Sequence, residues 1–131
     1  MNGYLVDTSI FVAAEQGRGL GAPPGGDARL SVATLTELGV GVRRANDEPL
    51  RQLRAATFAR ARRFVALPYD ERVAERLADL LATAWAQGRR AGAMDAIIAA
   101  TALVHDLVVW TQDTDFEVLV ELAPDLRVQL G

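Results

Sequence analysis

The chain has 131 residues, half of them hydrophobic, which is the size of one compact domain with a single core. It contains no cysteine and one histidine, which excludes disulfides, thiolate chemistry and metal sites built on several imidazoles. All 14 basic residues are arginine and the net charge is −3, so Schiff-base lysine chemistry is excluded and general nucleic-acid binding is disfavoured. No apolar stretch reaches the roughly 18 residues of a membrane span, and we expect a cytoplasmic protein.

The first residues predict a strand followed by a helix. Residues 4–6 are a short apolar run, and Thr8 or Ser9 can cap a helix that includes residues 10–14. Glycine and proline are concentrated in residues 16–28, which predicts a loop.

The next elements repeat this alternation. A second strand is predicted over residues 30–32, followed by a helix that begins at Thr34 or Thr36 and continues toward Ala45. Pro49 begins another helix that continues to Phe58, and the two helices could form a hairpin.

The middle of the chain predicts one strand and two helices. The strand covers residues 64–67, and Asp70 caps a helix with regular apolar spacing that ends at Gly88. Residues 94–104 form a helix that is apolar on nearly every side, which predicts a position deep in the core.

The last elements complete an α/β pattern. Residues 107–110 predict a buried strand, 111–115 a polar junction, 116–122 a short helix and 126–130 an edge strand. Alternating strands and helices indicate a mainly parallel sheet, whose ligands bind outside the carboxyl ends of the strands.

Five acidic residues occupy positions that this fold would bring together. Asp7 follows the first strand, Asp113 follows the fourth, and Asp115 lies two residues further on. Glu37 and Asp95 lie in apolar helices, where an ionised side chain is costly to bury without a cation or hydrogen-bond donors.

Carboxylates held within a few ångströms repel one another, and some would take up protons unless a divalent cation neutralised them. Mg²⁺ prefers oxygen ligands and retains several waters, so one or two direct carboxylates suffice. Such a cation lowers the pKa of a bound water and stabilises charge on a phosphate during in-line attack. The acids therefore predict a Mg²⁺ or Mn²⁺ site for phosphodiester hydrolysis.

Each acid also has an ordinary structural interpretation. Asp7 could cap the first helix, Asp95 could complement a helix dipole, and Glu37 could lie on a solvated face. Asp113 and Asp115 could be turn-formers. Only their combination favours a site.

Four segments resemble the PIN-domain ribonucleases, and within that family the VapC toxins of bacterial and archaeal toxin–antitoxin pairs. The segments are residues 4–9, 36–41, 94–102 and 111–116. Each motif alone is weak, but their order and spacing in a chain of this length are specific. The resemblance implies a single PIN domain over residues 1–131, with a PIN-like three-layer α/β/α architecture around a central, mainly parallel sheet.

The resemblance also implies roles for the site residues. The implied catalytic acids are Asp7, Glu37, Asp95 and Asp113. The implied metal ligands are Asp7, Asp95, Asp113 and Asp115. The supporting hydroxyl groups are those of Thr8, Ser9 and Thr111. The family carries Asn or Asp at the place of Asp113, so the division of roles between Asp113 and Asp115 stays open.

The implied activity is Mg²⁺-dependent cleavage of tRNA, rRNA or another structured RNA, with Mn²⁺ as a substitute ion. The implied partners are the RNA, a VapB-like antitoxin that blocks the site, often with an arginine, and a second copy of the chain. A homodimer would then form a heterotetramer or larger assembly with the antitoxin.

Arginines could hold the RNA backbone beside an acidic site through charge-assisted hydrogen bonds. The predicted RNA contacts are Arg43, Arg44, Arg89 and Arg90, although arginines on helices are more often simply solvated. His105 and Trp110 are expected to be structural, and Trp85 is expected to contact a second copy or the antitoxin.

Other classes fit less well. A haloacid-dehalogenase-like phosphatase needs a second acid at position 9, which is a serine here. A dinucleotide-binding domain needs a G-x-G-x-x-G turn after the first strand, and none is present. The remaining alternative is a catalytically inactive PIN-like module that binds RNA or a partner, which the complete acidic quartet disfavours.

Overall fold

The computed structural model describes residues 2–131 and contains a five-stranded sheet with helices on both faces. The strands are β1 Tyr4–Val6, β2 Ala28–Ser31, β3 Val65–Leu67, β4 Val108–Thr111 and β5 Val128–Leu130. The helices are α1 Thr8–Glu15, α2 Val32–Arg44, α3 Glu48–Ala61, α4 Glu71–Ala86, α5 Ala93–His105 and α6 Phe116–Leu122.

The strand order is β3-β2-β1-β4-β5, and every neighbouring pair is parallel. The chain moves outward from β1 through β2 to β3 and then crosses to β4 on the other side of β1. The order therefore reverses between β1 and β4, where Val6 pairs with Trp110. Sheets of this kind bind ligands in the crevice at such a reversal, and Asp7 and Asp113 follow the two strands that border it.

Alternation along the strands divides the core into two apolar layers. Leu5 and Val109 face a layer formed mainly by α4, α5 and α6, whereas Val6 and Trp110 face a layer formed by α1, α2 and α3. The predicted three-layer α/β/α architecture is confirmed.

The helix over residues 94–104 is the central helix of its layer. In α5 the side chains of Ala96 and Ile98 to Ala102 are all buried, as its all-round apolar sequence predicts. Helices α2 and α3 pack against each other as the predicted hairpin. None of the helices within residues 2–131 combines the length and apolarity needed to cross a membrane.

The second strand–helix junction differs from its prediction. The strand ends at Ser31, and α2 begins at Val32 rather than at Thr34 or Thr36. Ser31 Oγ accepts a hydrogen bond from the backbone N–H of Ala33 at 3.0 Å, so it caps the helix. Val32 is β-branched and apolar, which favours a strand, but the cap formed by Ser31 places it at the start of the helix.

Candidate active site

Asp7 lies at the centre of the crevice and is only 3% exposed. Its Oδ2 atom accepts hydrogen bonds from Ser9 Oγ at 2.6 Å and from Thr111 Oγ1 at 2.8 Å. The Ser9 backbone N–H donates to the same oxygen at 3.3 Å, which makes Asp7 the cap of α1 as well. The capping interpretation is therefore correct and does not compete with a site, because no donor from residues 2–131 reaches Oδ1.

The segment after β4 is fixed by the same hydroxyl groups. Thr111 Oγ1 accepts from the backbone N–H of Asp113 at 2.8 Å, and Asp113 Oδ1 accepts from the N–H of Asp115 at 2.8 Å. The turn-forming interpretation thus also holds for Asp113. Asp115 precedes α6 without a capping hydrogen bond from its side chain, and its carboxylate is exposed.

Glu37 is held by a short chain of hydroxyl groups. Thr8 Oγ1 lies 2.6 Å from Glu37 Oε1 and 3.1 Å from Thr34 Oγ1. A hydroxyl has one hydrogen, so when Thr8 donates to the carboxylate it must accept from Thr34. Burial raises the pKa of Glu37, the Thr8 hydrogen bond opposes that rise, and the charges of Asp7 and Asp113 add to it.

Asp95 lies in the first turn of α5 and is half-buried. Burial, followed by repulsion from Asp7, Asp113, Glu37 and Asp115, raises the pKa of Asp95 to about 7. The crevice therefore disfavours the ionised form of this carboxyl. No arginine forms an ion pair with any of the five acids within residues 2–131.

Three of the acids could hold a metal ion together. Asp95, Asp113 and Asp115 each offer a carboxylate oxygen, and these oxygens lie within 4.8 Å of one another. A hard divalent cation fits such an all-oxygen set, and it would supply the positive charge that the surrounding residues lack. Asp7 is outside this set within residues 2–131, so its role as a metal ligand stays a prediction.

Two of the four predicted RNA-binding arginines are engaged elsewhere. Arg43 donates to the carbonyl of Gly39 at 3.1 Å, and Arg89 forms an ion pair with Glu121 at 2.6 Å. Arg44 lines a cleft of about 440 Å³ beside Glu37.

The last four side chains considered in the sequence analysis differ in their exposure to solvent. Arg90 is exposed. Trp110 is buried, His105 is half-buried, and Trp85 is 72% exposed.

Sequence reasoning missed two residues that support the acids. Thr34, interpreted only as a helix cap, is fully buried and donates toward Thr8. Gln112 donates its backbone N–H to Ser9 Oγ at 2.9 Å, while its side-chain amide donates to the carbonyl of Gly19 at 3.0 Å. A threonine three residues before Glu37, one helical turn away, was an available signal for Thr34. No local pattern marks Gln112.

Replacing Asp95 by asparagine should stabilise the metal-free protein. The folded-state pKa of about 7 lies above the ordinary value of 3.8, so the stability that Asp95 contributes is complete below about pH 4 and is lost as the pH rises through 7. We expect Asp95→Asn to raise the melting temperature in EDTA by a few degrees near pH 8 and by less near pH 5. Thermal unfolding followed by circular dichroism measures this difference.

The matched control is Asp27→Asn, in the exposed loop before β2, which should leave the melting temperature unchanged at both pH values. Added Mg²⁺ should stabilise the wild type more than Asp95→Asn. Equal melting temperatures for wild type and Asp95→Asn near pH 8 would contradict the raised pKa of Asp95.

Comparison with known proteins identifies the family. The PIN domain matches residues 4–122. Ribonuclease VapC4 of Mycobacterium tuberculosis is 36% identical over 128 residues, which cover 95% of this chain and 93% of the relative. Ribonuclease VapC5 of the same organism is 39% identical over 116 residues, which cover 88% of this chain and 86% of the relative.

Solved structures agree with this assignment. The toxin–antitoxin complex VapBC-5 from Mycobacterium tuberculosis contains a chain that matches 99% of this one, over 98% of its own length, with a TM-score of 0.79 and 32% identity. DNA-bound VapBC from Salmonella typhimurium matches 99% of this chain over 98% of its own, with a TM-score of 0.78, and at 21% identity it shows the shared fold alone. The chain belongs to the PIN domain family, and its relatives there are the VapC ribonucleases.

Proposed function

We propose that this chain is a metal-dependent endoribonuclease and the toxin of a type II toxin–antitoxin pair. The observation that carries the proposal is the meeting of Asp95, Asp113 and Asp115 beside Asp7 and Glu37, without a cation from the protein. The relatives named ribonucleases make RNA the substrate class.

The metal-binding residues would be Asp95, Asp113 and Asp115, with Asp7 as a further predicted ligand. Mg²⁺ is the proposed ion and Mn²⁺ its substitute, since both accept carboxylate and water oxygens. When bound, such an ion lowers the pKa of a coordinated water and stabilises negative charge on the phosphate.

The protein's own groups would orient the reaction. Asp7 is fixed by Ser9 and Thr111 through Oδ2, so its Oδ1 atom keeps a defined direction in the crevice. Glu37 is the proposed proton acceptor for the attacking water, because a carboxylate with a raised pKa is a stronger base and Thr8 fixes its Oε1 atom.

The substrate we propose is a structured RNA such as tRNA or rRNA. Its backbone needs cations outside the acidic crevice, and Arg44 and Arg90 remain the proposed contacts that are not engaged by a partner in the residues described. Arg43 and Arg89 would have to leave their present partners to contribute.

A VapB-like antitoxin is the proposed inhibitor. The cleft of about 440 Å³ extends from Thr8 and Glu37 to Arg44 and Arg54, with Val12 and Leu38 among its apolar walls. An antitoxin segment in this cleft would bury apolar surface, pair with charges of both signs and reach the catalytic acids. A homodimer within a heterotetramer, or a larger assembly, is proposed by analogy with the family. Organisation as a single domain over residues 1–131 also stays a prediction.

Cleavage of RNA by the purified chain tests the central proposal. Wild type should cut structured RNA in Mg²⁺ or Mn²⁺ and be inactive in EDTA. Asp7→Asn and Asp95→Asn should each lower the rate at least about a hundredfold, because each removes a charge that the bound ion needs. Gel analysis of labelled tRNA measures the rate, and Asp27→Asn serves as the control. Undiminished cleavage in EDTA would overturn the metal mechanism, and complete inactivity of wild type would favour the binding-only alternative.

Thr34→Val tests the hydroxyl chain behind Glu37. The substitution keeps the shape of the side chain and removes the donor to Thr8, so Thr8 loses one of the contacts that orient it. We expect kcat to fall about tenfold with KM nearly unchanged, because the interaction acts on a proton acceptor and not on substrate binding. Thr34→Ser should restore most of the activity. A kcat that valine leaves unchanged would contradict the positioning role.

Expression in bacteria tests the toxin assignment. The wild-type chain should arrest growth, Asp7→Asn should not, and co-expression of a cognate VapB-like antitoxin should restore growth. Growth curves and plating efficiency measure the effect. If the wild-type chain is harmless and grows like Asp7→Asn at equal protein levels, the chain is not a toxin.

A further inference from the structure

Trp85 is the most exposed large hydrophobic side chain in residues 2–131, with 72% of its surface accessible. It lies in the last turn of α4. No other exposed large hydrophobic residue belongs to α4 or to the turn that follows it. That turn consists of Gln87, Gly88, Arg89 and Arg90. Trp85 is therefore an isolated aromatic side chain in a polar, basic turn.

The turn is rigidly attached to the helix end. Gly88 adopts a φ of +64°, its N–H donates to the carbonyl of Trp85 at 3.1 Å, and the N–H of Arg89 donates to the carbonyl of Ala84 at 2.8 Å. These two bonds form a Schellman motif. The ion pair between Arg89 and Glu121 connects the turn to α6. Trp85 and Arg90 line one shallow cleft, and the hydrogen bonds of the turn fix the backbone between them as far as Arg89.

This cleft is adjacent to the carboxylates. A Cβ atom placed on Gly92 would lie 3.7 Å from Asp95 Oδ2, and Arg90 precedes Gly92 by two residues, a span of at most about 7 Å. Arg90 forms no ion pair within residues 2–131. An exposed ring, an uncommitted guanidinium and the acidic crevice thus follow one another along a short stretch of surface.

We propose that Trp85 and Arg90 form a binding subsite for an unpaired nucleotide of RNA, next to the carboxylates. The indole stacks on a base and the guanidinium binds a neighbouring phosphate. This is the combination by which proteins hold single-stranded nucleic acid, since every base has a π-face and every nucleotide a charge. The inference rests on the proposed ribonuclease function. It adds that a stacked base holds the RNA strand beside the crevice, which requires an unpaired nucleotide near the scissile bond.

Binding of a short, fluorescently labelled single-stranded RNA to the full chain carrying Asp7→Asn tests this proposal by anisotropy. Trp85→Leu keeps an apolar side chain without an aromatic face and should weaken binding about tenfold. Trp85→Phe should stay within about threefold of the parent because it retains a ring. Arg90→Gln should weaken binding and reduce the salt dependence by about 0.7 in log–log slope. Arg72→Gln, an exposed arginine near the other end of α4, is the matched control and should bind as the parent does.

Iodide quenching gives an independent reading, because Trp110 is buried and the quenched fluorescence comes from Trp85. RNA should protect Trp85 from iodide. Protection that grows with protein concentration in the absence of RNA, while Trp85→Leu binds RNA normally, would overturn the subsite and assign this surface to contact between copies.

The subsite and the enzymatic function can fail separately. Cleavage by wild type together with unchanged RNA affinity in Trp85→Leu overturns the subsite and leaves the ribonuclease standing. RNA binding that depends on Trp85, without cleavage by wild type, overturns the ribonuclease and supports the subsite. Failure of the Asp7→Asn protein to bind RNA at all overturns the subsite.

Discussion

Asp7 is the most buried of the five acids, and the cost of burying its charge is the constraint around which the crevice is built. It follows the central strand of the sheet, is nearly inaccessible to solvent, and has three donors on a single oxygen. Burial of an ionised group is tolerable only with such donors or with a cation. Burial raises the pKa of both Glu37 and Asp95, which lie on different helices, and the charge of Asp7 adds to both shifts. Burial and mutual repulsion together therefore favour a divalent cation in the crevice.

Hydroxyl groups hold Asp7 and Glu37 through two separate sets of hydrogen bonds. Ser9 and Thr111 fix Asp7, and Thr111 also fixes the backbone of the turn that carries Asp113. Thr8 and Thr34 fix Glu37 from the opposite side. Hydrogen bonds within the protein therefore orient Asp7, Glu37 and the turn that carries Asp113. The carboxylate of Asp115 is exposed and makes no capping hydrogen bond, so its side chain can reorient.

Much of the fold and of the candidate site could be predicted because it depends on residues close together in the sequence. Short apolar runs define the strands, and the all-round apolar sequence of α5 correctly indicated a buried helix. The predicted start of α2 was wrong because Val32 has the β-branched side chain typical of a strand, whereas Ser31 caps the helix. The pairing of Arg89 with Glu121 and the hydrogen bonds of Gln112 depend on packing between segments distant in sequence, which no local pattern encodes. The same holds for Thr34, whose partner Thr8 is 26 residues away.

The parallel sheet has a consequence for the time at which the crevice comes into existence during synthesis. Its central pairing joins residue 4 to residue 108, and the four strand pairings within residues 2–131 are all parallel, so none of them is a local β-hairpin. A growing chain that has reached α5 already carries Asp7, Glu37 and Asp95, but it has neither β4 nor Asp113 and Asp115. Such a chain does not yet contain one wall of the crevice, nor two of the three carboxylates that could hold an ion together. A chain that ends before β4 therefore lacks the group of three acids, and that group is complete only once β4 is present to pair with β1.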